Sequence, residues 1–273
     1  MKLTARIPVT AALLALTLGS ATGCNKLKAR DELNKGVQAF KSARFEDATN
    51  HFQTAIALDP AYQDAKLYLA TAYASQVVPN LETPENLKIA QNALDGFNAV
   101  LAKDPNDLTA LKQIASIDRN IKKFDEAKEY EKKVIAIAPN DPEAYYTVGF
   151  VNWTLAYKNA IAILAADGLT DAGDGNPKKS KDACAKLQAA NTGLVTEGIQ
   201  YLNKAIELNP NYDDAMQYMQ LTLRRKADLE CGNEAARKDD MAQVDMWIQK
   251  AMGARKANEL EKEKKNAGGV VMQ

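Results

Sequence analysis

The chain has 273 residues, 46% of them hydrophobic and 26% charged, which suits a folded protein of one large or two medium domains and excludes global disorder. Its 35 basic residues balance 35 acidic ones, so no overall field gathers nucleic acid on the surface, and none is expected as a partner.

Lys2 and Arg6 precede an uncharged run from Ile7 to Leu18, and small residues from Gly19 to Gly23 lead to Cys24. That order reads as a secretory signal. Ala21-Thr22-Gly23-Cys24 resembles the bacterial lipoprotein box, with Ala21 where the box usually carries Leu. The resemblance implies that residues 1–23 are a signal peptide and that Cys24 is lipidated, with several acyl chains giving an anchorage that one chain gives only marginally. Ordinary secretion and an uncleaved anchor are the alternatives, although Ile7 to Leu18 is short for a span of about 20 residues. Asn25 is not the Asp that holds some lipoproteins at the inner membrane. The expected location is the bacterial outer membrane, lipid-anchored and facing the periplasm, with 24–28 as anchor and linker.

From residue 29 the chain repeats itself. FEDATNHFQTAIALDPAYQDAKLYLA, KFDEAKEYEKKVIAIAPNDPEAYYTVGF and EGIQYLNKAIELNPNYDDAMQYM are variants of one pattern. Helical stretches stop at Pro60, Pro105, Pro139 and Pro210, since proline cannot continue a helix. Pro105 and Pro139 are 34 residues apart. In the register set by these prolines, small residues recur at Ala48, Ala93, Ala127 and Gly198, and again at Gly36, Ala70, Ala115 and Gly149, where helices cross closely. Phe52, Phe97, Glu131 and Leu202 fall where larger side chains fill the gap. The pattern resembles the tetratricopeptide repeat, two antiparallel helices per unit of 34 residues. The resemblance implies an all-α, right-handed superhelical solenoid of about five repeats, near 29–62, 63–107, 108–141, 142–212 and 213–256, read as one domain with a charged tail at 257–273.

Two repeats are too long. Pro60 to Pro105 is 45 residues, placing an insertion of 11 around Gln76 to Glu85. Pro139 to Pro210 is 71, an excess of 37 that lengthens both helices of repeat four and adds the loop Asp167 to Ser180. That loop reads as flexible and polar; its acids lack the Asp-x-Asp-x-Asp-Gly alternation that wraps calcium. The segment ARKANELEKEKKNAGG reads as a capping helix that frays.

Catalytic chemistry needs a nucleophile and a base in fixed relation. The chain has one histidine, His51, placed on a helix surface, and no Walker loop, GxSxG elbow or paired CxxC. No enzyme activity, cofactor or metal is expected. Of Leu33, Val37, Leu67, Thr71, Lys112 and Ser116, which occupy the places where some tetratricopeptide domains clamp a partner's terminal carboxylate, only Lys112 has suitable charge.

Cys184 and Cys231 remain once Cys24 is acylated, and export favours a disulfide between them. They lie 26 residues before and 21 after Pro210, an axial offset of about 7 Å between antiparallel helices. Bridging therefore requires the chain near Gly232 to bend back; two separately buried thiols are the alternative.

The first helix of repeat four is apolar nearly all round. The resemblance assigns Tyr145, Val148 and Gly149 to packing, and Tyr146, Phe150 and Trp153 to the concave face. Tyr157, Ile161 and Leu164 continue that stripe and can equally pack as core against residues 181–197. Large aromatic rings anchor interfaces. Tyr146, Phe150 and Trp153 are thus the expected contacts for a protein or peptide partner, with Arg224 and Arg225 supplying charge at the edge. The combination of anchor and repeats resembles outer-membrane protein assembly lipoproteins and the pilotins of pilus secretins; a structural tether or small-ligand binder is the alternative.

Overall fold

In a computed structural model the backbone of residues 9–268 is described, with side chains from 24 to 266, so residues 1–8 and the side chains of the whole signal-like segment lie outside the described residues. Contacts gather the chain into two compact units, Met1–Lys122 and Lys123–Gln273, dividing inside repeat three.

The first unit holds α1 (Val9–Lys41), α2 (Phe45–Leu58), α3 (Gln63–Ala74), α4 (Pro84–Leu101) and α5 (Leu108–Asn120), each packed on the next. The second holds α6 (Phe124–Ile137), α7 (Pro142–Ala166), α8 (Lys181–Leu208), α9 (Asp213–Ala227) and α10 (Glu234–Gly268), again packed in succession, with α7 also against α9. Strands are absent among the described residues.

The prolines work alike at all four places. Each follows the first residue of a turn in which an amide donates three residues back: Tyr62 N to Asp59 O, Asp107 N to Asp104 O, Asp141 N to Ala138 O, and Tyr212 N to Asn209 O, at 3.0 to 3.2 Å. Proline is preset for the second place of such a turn. Asp107, Asp141 and Ser180 then cap α5, α7 and α8 by accepting from backbone amides of the first turn.

The periodic small residues are where helices touch. Ala48, Ala93 and Ala127 are fully buried, as are Phe52, Phe97 and Leu202. A β-carbon on Gly149 of α7 would meet Leu202 Cγ of α8 at 2.5 Å, and one on Gly36 would collide with the ring of Phe52. Bulk on one helix and its absence on the partner are thus matched within a repeat.

In repeat two the added residues form the loop 75–83, tied to the start of α4 by Asn86: its Nδ2 donates to Val78 O and Leu81 O at 3.0 and 2.6 Å, and its Oδ1 accepts from Val78 N at 2.8 Å. In repeat four, α7 and α8 run to 25 and 28 residues. Ala160, Leu164 and Leu187 pack their overhang, with Leu169 and Leu229 alongside. Inside this apolar pair Asn191 is fully buried, donating to Ala156 O at 2.9 Å and accepting from Asn159 at 3.0 Å. Among the described residues no helix is long and apolar enough to cross a membrane.

The segment after residue 256 continues α10 as helix instead of fraying from there. Glu, Lys and Ala favour helix, and Asn258 fixes the overhang by donating to Asn211 O at 2.9 Å and Asp213 Oδ1 at 3.0 Å.

Candidate functional site

Asp141 and Pro142 start α7, and the helical repeat then sorts its rings. Val148 and Gly149 are buried against α8, and Tyr145 packs on Tyr201 with centroids 5.8 Å apart. Tyr146, Phe150 and Trp153 fall on another side, which meets α9. All three surround Tyr218: its centroid lies 5.7, 4.9 and 5.0 Å from theirs, each pair edge-to-face. Tyr212 adds a contact to Tyr146 at 5.1 Å. The three rings are half-buried, each leaving part of its surface to solvent. Tyr157 stacks on Trp153 at 5.3 Å and remains 39% exposed. Of the stripe beyond it, Ile161 is exposed and Leu164 is core.

Beside Trp153 and Tyr157 the surface sinks into a pocket of 260 Å³ walled by Gln220, Leu221 and Arg224 of α9 and by Ala172 and Gly173 of the inserted loop. The loop is docked, in contrast to the flexible segment expected. Arg225 is 2% exposed; its Nη2 reaches Asp171 Oδ1 and Oδ2 at 3.0 and 2.9 Å, and its Nη1 lies 3.0 Å from Asp228 Oδ2. That last contact is an ion pair without hydrogen-bond geometry. Buried Asn176 donates to Asp171 at 3.1 Å and Asp228 at 2.8 Å. Gly173 and Gly175, with φ of +67° and +82°, let the loop turn into this hub.

The hub splits its two acids. Burial pushes the Asp171 carboxyl up, but the hydrogen bond and charge of Arg225, helped by Asn176 and the Gly173 amide, hold it below its ordinary value. Burial dominates at Asp228 and raises it, against the charge of Arg225 and the bond from Asn176.

Arg225 therefore does not supply charge at a groove edge, as expected from the sequence. It follows Arg224 by one residue, a turn of about 100° on a helix, and that rotation takes it into the packed interior. Arg224 stays at the pocket lip, donating from Nε to Gln220 Oε1 at 3.0 Å and from Nη1 to Gly173 O at 2.9 Å. The hub residues Asp171, Asn176 and Asp228, and the rings Tyr212 and Tyr218, were not singled out from the sequence. The usable signal was the one-residue step from Arg224 to Arg225, because a buried arginine requires acids nearby.

Cys184, 3% exposed on α8, is bonded to exposed Cys231, with Cα atoms 5.9 Å apart. The chain bends back at Gly232, φ +77°, which absorbs the axial offset. Cys24 is exposed and forms no disulfide. His51 lies on the surface of α2 with Nδ1 2.7 Å from Glu32 Oε2. Among the described residues no three or more His, Cys, Asp or Glu side chains gather as a metal site.

The tetratricopeptide repeat family model matches residues 109–141 and 189–212. Those two segments carry the tetratricopeptide pattern. The first match covers α5 and α6, the undisturbed repeat three. The second covers only the latter part of α8 and its proline turn, because the insertion interrupts repeat four before it. Solved structures of MamA share the fold. MamA from residue 41 to its end, of Desulfovibrio magneticus RS-1, is 18% identical, with 84% of this chain and 96% of that chain covered at a TM-score of 0.54. A crystal structure of MamA is 14% identical, with coverage of 84% and 92% and a TM-score of 0.55. MamA AMB-1 is also 14% identical, with coverage of 90% and 99% and a TM-score of 0.52. Such identities extend the likeness to the fold alone. No curated protein matches the chain.

Proposed function

We propose that the chain is a lipid-anchored scaffold of the bacterial cell envelope, held at the outer membrane through Cys24, whose tetratricopeptide repeats bind a protein or peptide segment on the face lined by α7 and α9. The observation that carries the binding reading is the half-buried row of Tyr146, Phe150 and Trp153. These rings are ordered by Tyr218 and still present surface to solvent. Rings fixed in advance lose little entropy on binding and contribute large contact area. For the anchor, the support is the Ala-Thr-Gly-Cys box and the exposure of Cys24.

Intact-mass analysis of the N-terminal peptide from native membranes should show Cys24 as an acylated first residue, and Cys24→Ser should move the protein to the soluble fraction. For the binding face, a photo-crosslinking side chain at Phe150 should trap a defined partner in the native organism, and Tyr146→Ala with Trp153→Ala should abolish the adduct without unfolding the chain. Lost thermal stability with an unchanged adduct would make the rings core and place binding elsewhere.

A further inference from the structure

Arg224 holds the same place in repeat five that Trp153 holds in repeat four, so both side chains face the same pocket. A guanidinium has five N–H donors. Arg224 directs two of its bonds to neutral oxygens, Gln220 Oε1 and Gly173 O, and these hold the group in place without neutralising it. The acids nearby, Asp171 and Asp228, are taken by Arg225. Arg224 thus carries a positive charge without a carboxylate partner among the described residues. The 260 Å³ pocket is also lined by Asp171 and Arg225, paired with each other, and by Gln220, bonded to Arg224; its apolar lining is the stacked rings of Trp153 and Tyr157, and Leu221.

We infer that this pocket receives an acidic peptide segment, an apolar side chain of which lies between Trp153, Tyr157 and Leu221 while an adjacent Glu or Asp carboxylate pairs with Arg224. This rests on reading the α7 and α9 face as a peptide-binding surface, and adds the chemistry of the partner. Charge complementarity carries it. A fixed planar guanidinium at the lip of an apolar hollow favours a carboxylate, with which it makes charge-assisted bonds, and disfavours a basic segment. Since the overall net charge is zero, this preference comes from the local group and not from a general field.

The probes are an acetylated, amidated peptide of eight residues containing two Glu-Phe pairs spaced by glycine, and its counterpart with Gln in place of Glu. Binding is read from Trp153 fluorescence in a Trp247→Phe background, which leaves one indole in the chain. The Glu peptide should bind about tenfold more tightly than the Gln peptide, as one charge-assisted bond implies, and the preference should shrink as salt is raised. Arg224→Gln should make the two peptides equal. Arg224→Lys, which keeps the charge and loses the fork, should retain part of the preference. Equal binding of both peptides by the wild-type protein overturns this inference and leaves the binding face standing; failure of both peptides to bind removes both. Loss of the preference in Arg224→Lys together with a fall in thermal midpoint would make Arg224 a clasp for the loop only. Binding of a Gln peptide solely when its C-terminus is free would also overturn it, in favour of capture of a terminal carboxylate.

Discussion

The loop of repeat two spans nine residues, 75–83, and is tied by neutral groups, Asn86 just after it and Thr49 and Asn120 farther off, plus one largely exposed ion pair between Glu82 and Lys122, whereas that of repeat four spans fourteen, 167–180, and is held by a buried arginine, two aspartates, an asparagine and a disulfide next to its end. Length does not explain the difference, because doubling a loop adds only about 0.6 kcal/mol of closure entropy. Buried charge does. The first loop is tied to the start of its own helix through Asn86 and to Thr49, Asn120 and Lys122 farther away, and its one ion pair leaves Glu82 58% exposed. The second is tied to residues 225, 228 and 231, around fifty positions later, on α9 and the turn after it. Both loops have distant ties; the buried charged hub is what only the second has, at the wall of the aromatic pocket.

The disulfide gives the sharpest test of that distinction. It closes a loop with a sequence separation of 47, so chain entropy assigns it about 4 kcal/mol of stability. Cys184→Ala with Cys231→Ala should lower the second unit's urea stability by that order and raise amide exchange across 167–180, leaving 75–83 unchanged. A loss below about 1 kcal/mol would mean the polar hub positions the loop unaided.

Next in size is the hub. Asp171→Ala removes the better-placed partner of a buried guanidinium and should cost about 3 kcal/mol, with exchange rising through residues 167–180. Asn86→Ala removes three hydrogen bonds to backbone at a site 4% exposed, and should cost about 2 kcal/mol, confined to 75–83. If Asp171→Ala loosened the loop no more than Asn86→Ala loosens the other, the contrast between a buried charged anchor and a neutral one would fail. Both are checked by hydrogen exchange and urea midpoints on the oxidised protein.

How much of this was legible depended on the distance between the residues that act together. Helix pairs could be read because each proline ends its own helix and each small residue recurs on a fixed period. The excess between Pro139 and Pro210 showed that repeat four is lengthened, and the run Asp167 to Ser180 is the loop between α7 and α8. The three rings on α7 were placed by a spacing of four and three. What the sequence hid was pairing at long range. Tyr218 comes from the next repeat, and Arg225 and Asp171 are 54 residues apart; in composition a buried charge looks the same as a surface one. The charged run after residue 256 was read as a capping helix that frays into a tail; it is helix to Gly268, as its residues favour, and Asn258 binds the turn before α9.

The smallest effect is the one that separates a charged anchor from a neutral one. Asp171 lies below its ordinary value, so it contributes stability that is present above its unfolded value, near pH 4, and is lost as pH falls through the native one. Asp228 lies above its ordinary value, and its contribution has the other sign: present at low pH, lost as pH rises through the raised native value. Burial raises it most, Asp171 adds to the rise, and the opposing charges of Arg225 and Lys179 are outweighed. Acidification from neutral pH toward about pH 4 should therefore tighten the loop 167–180 as Asp228 takes up a proton in the folded state, and further acidification should loosen it as Asp171 does the same. Asp228→Asn has no proton to gain and can still accept from Asn176, so it should abolish the tightening limb and keep the loosening one. Amide exchange of 167–180, corrected for intrinsic rates and followed across this range in both proteins, reads the two limbs separately. Asn86 carries no ionisable group, so its own hold on 75–83 should be flat over the same range. Identical profiles in wild type and Asp228→Asn would mean that the charge on Asp228 takes no part in holding the loop.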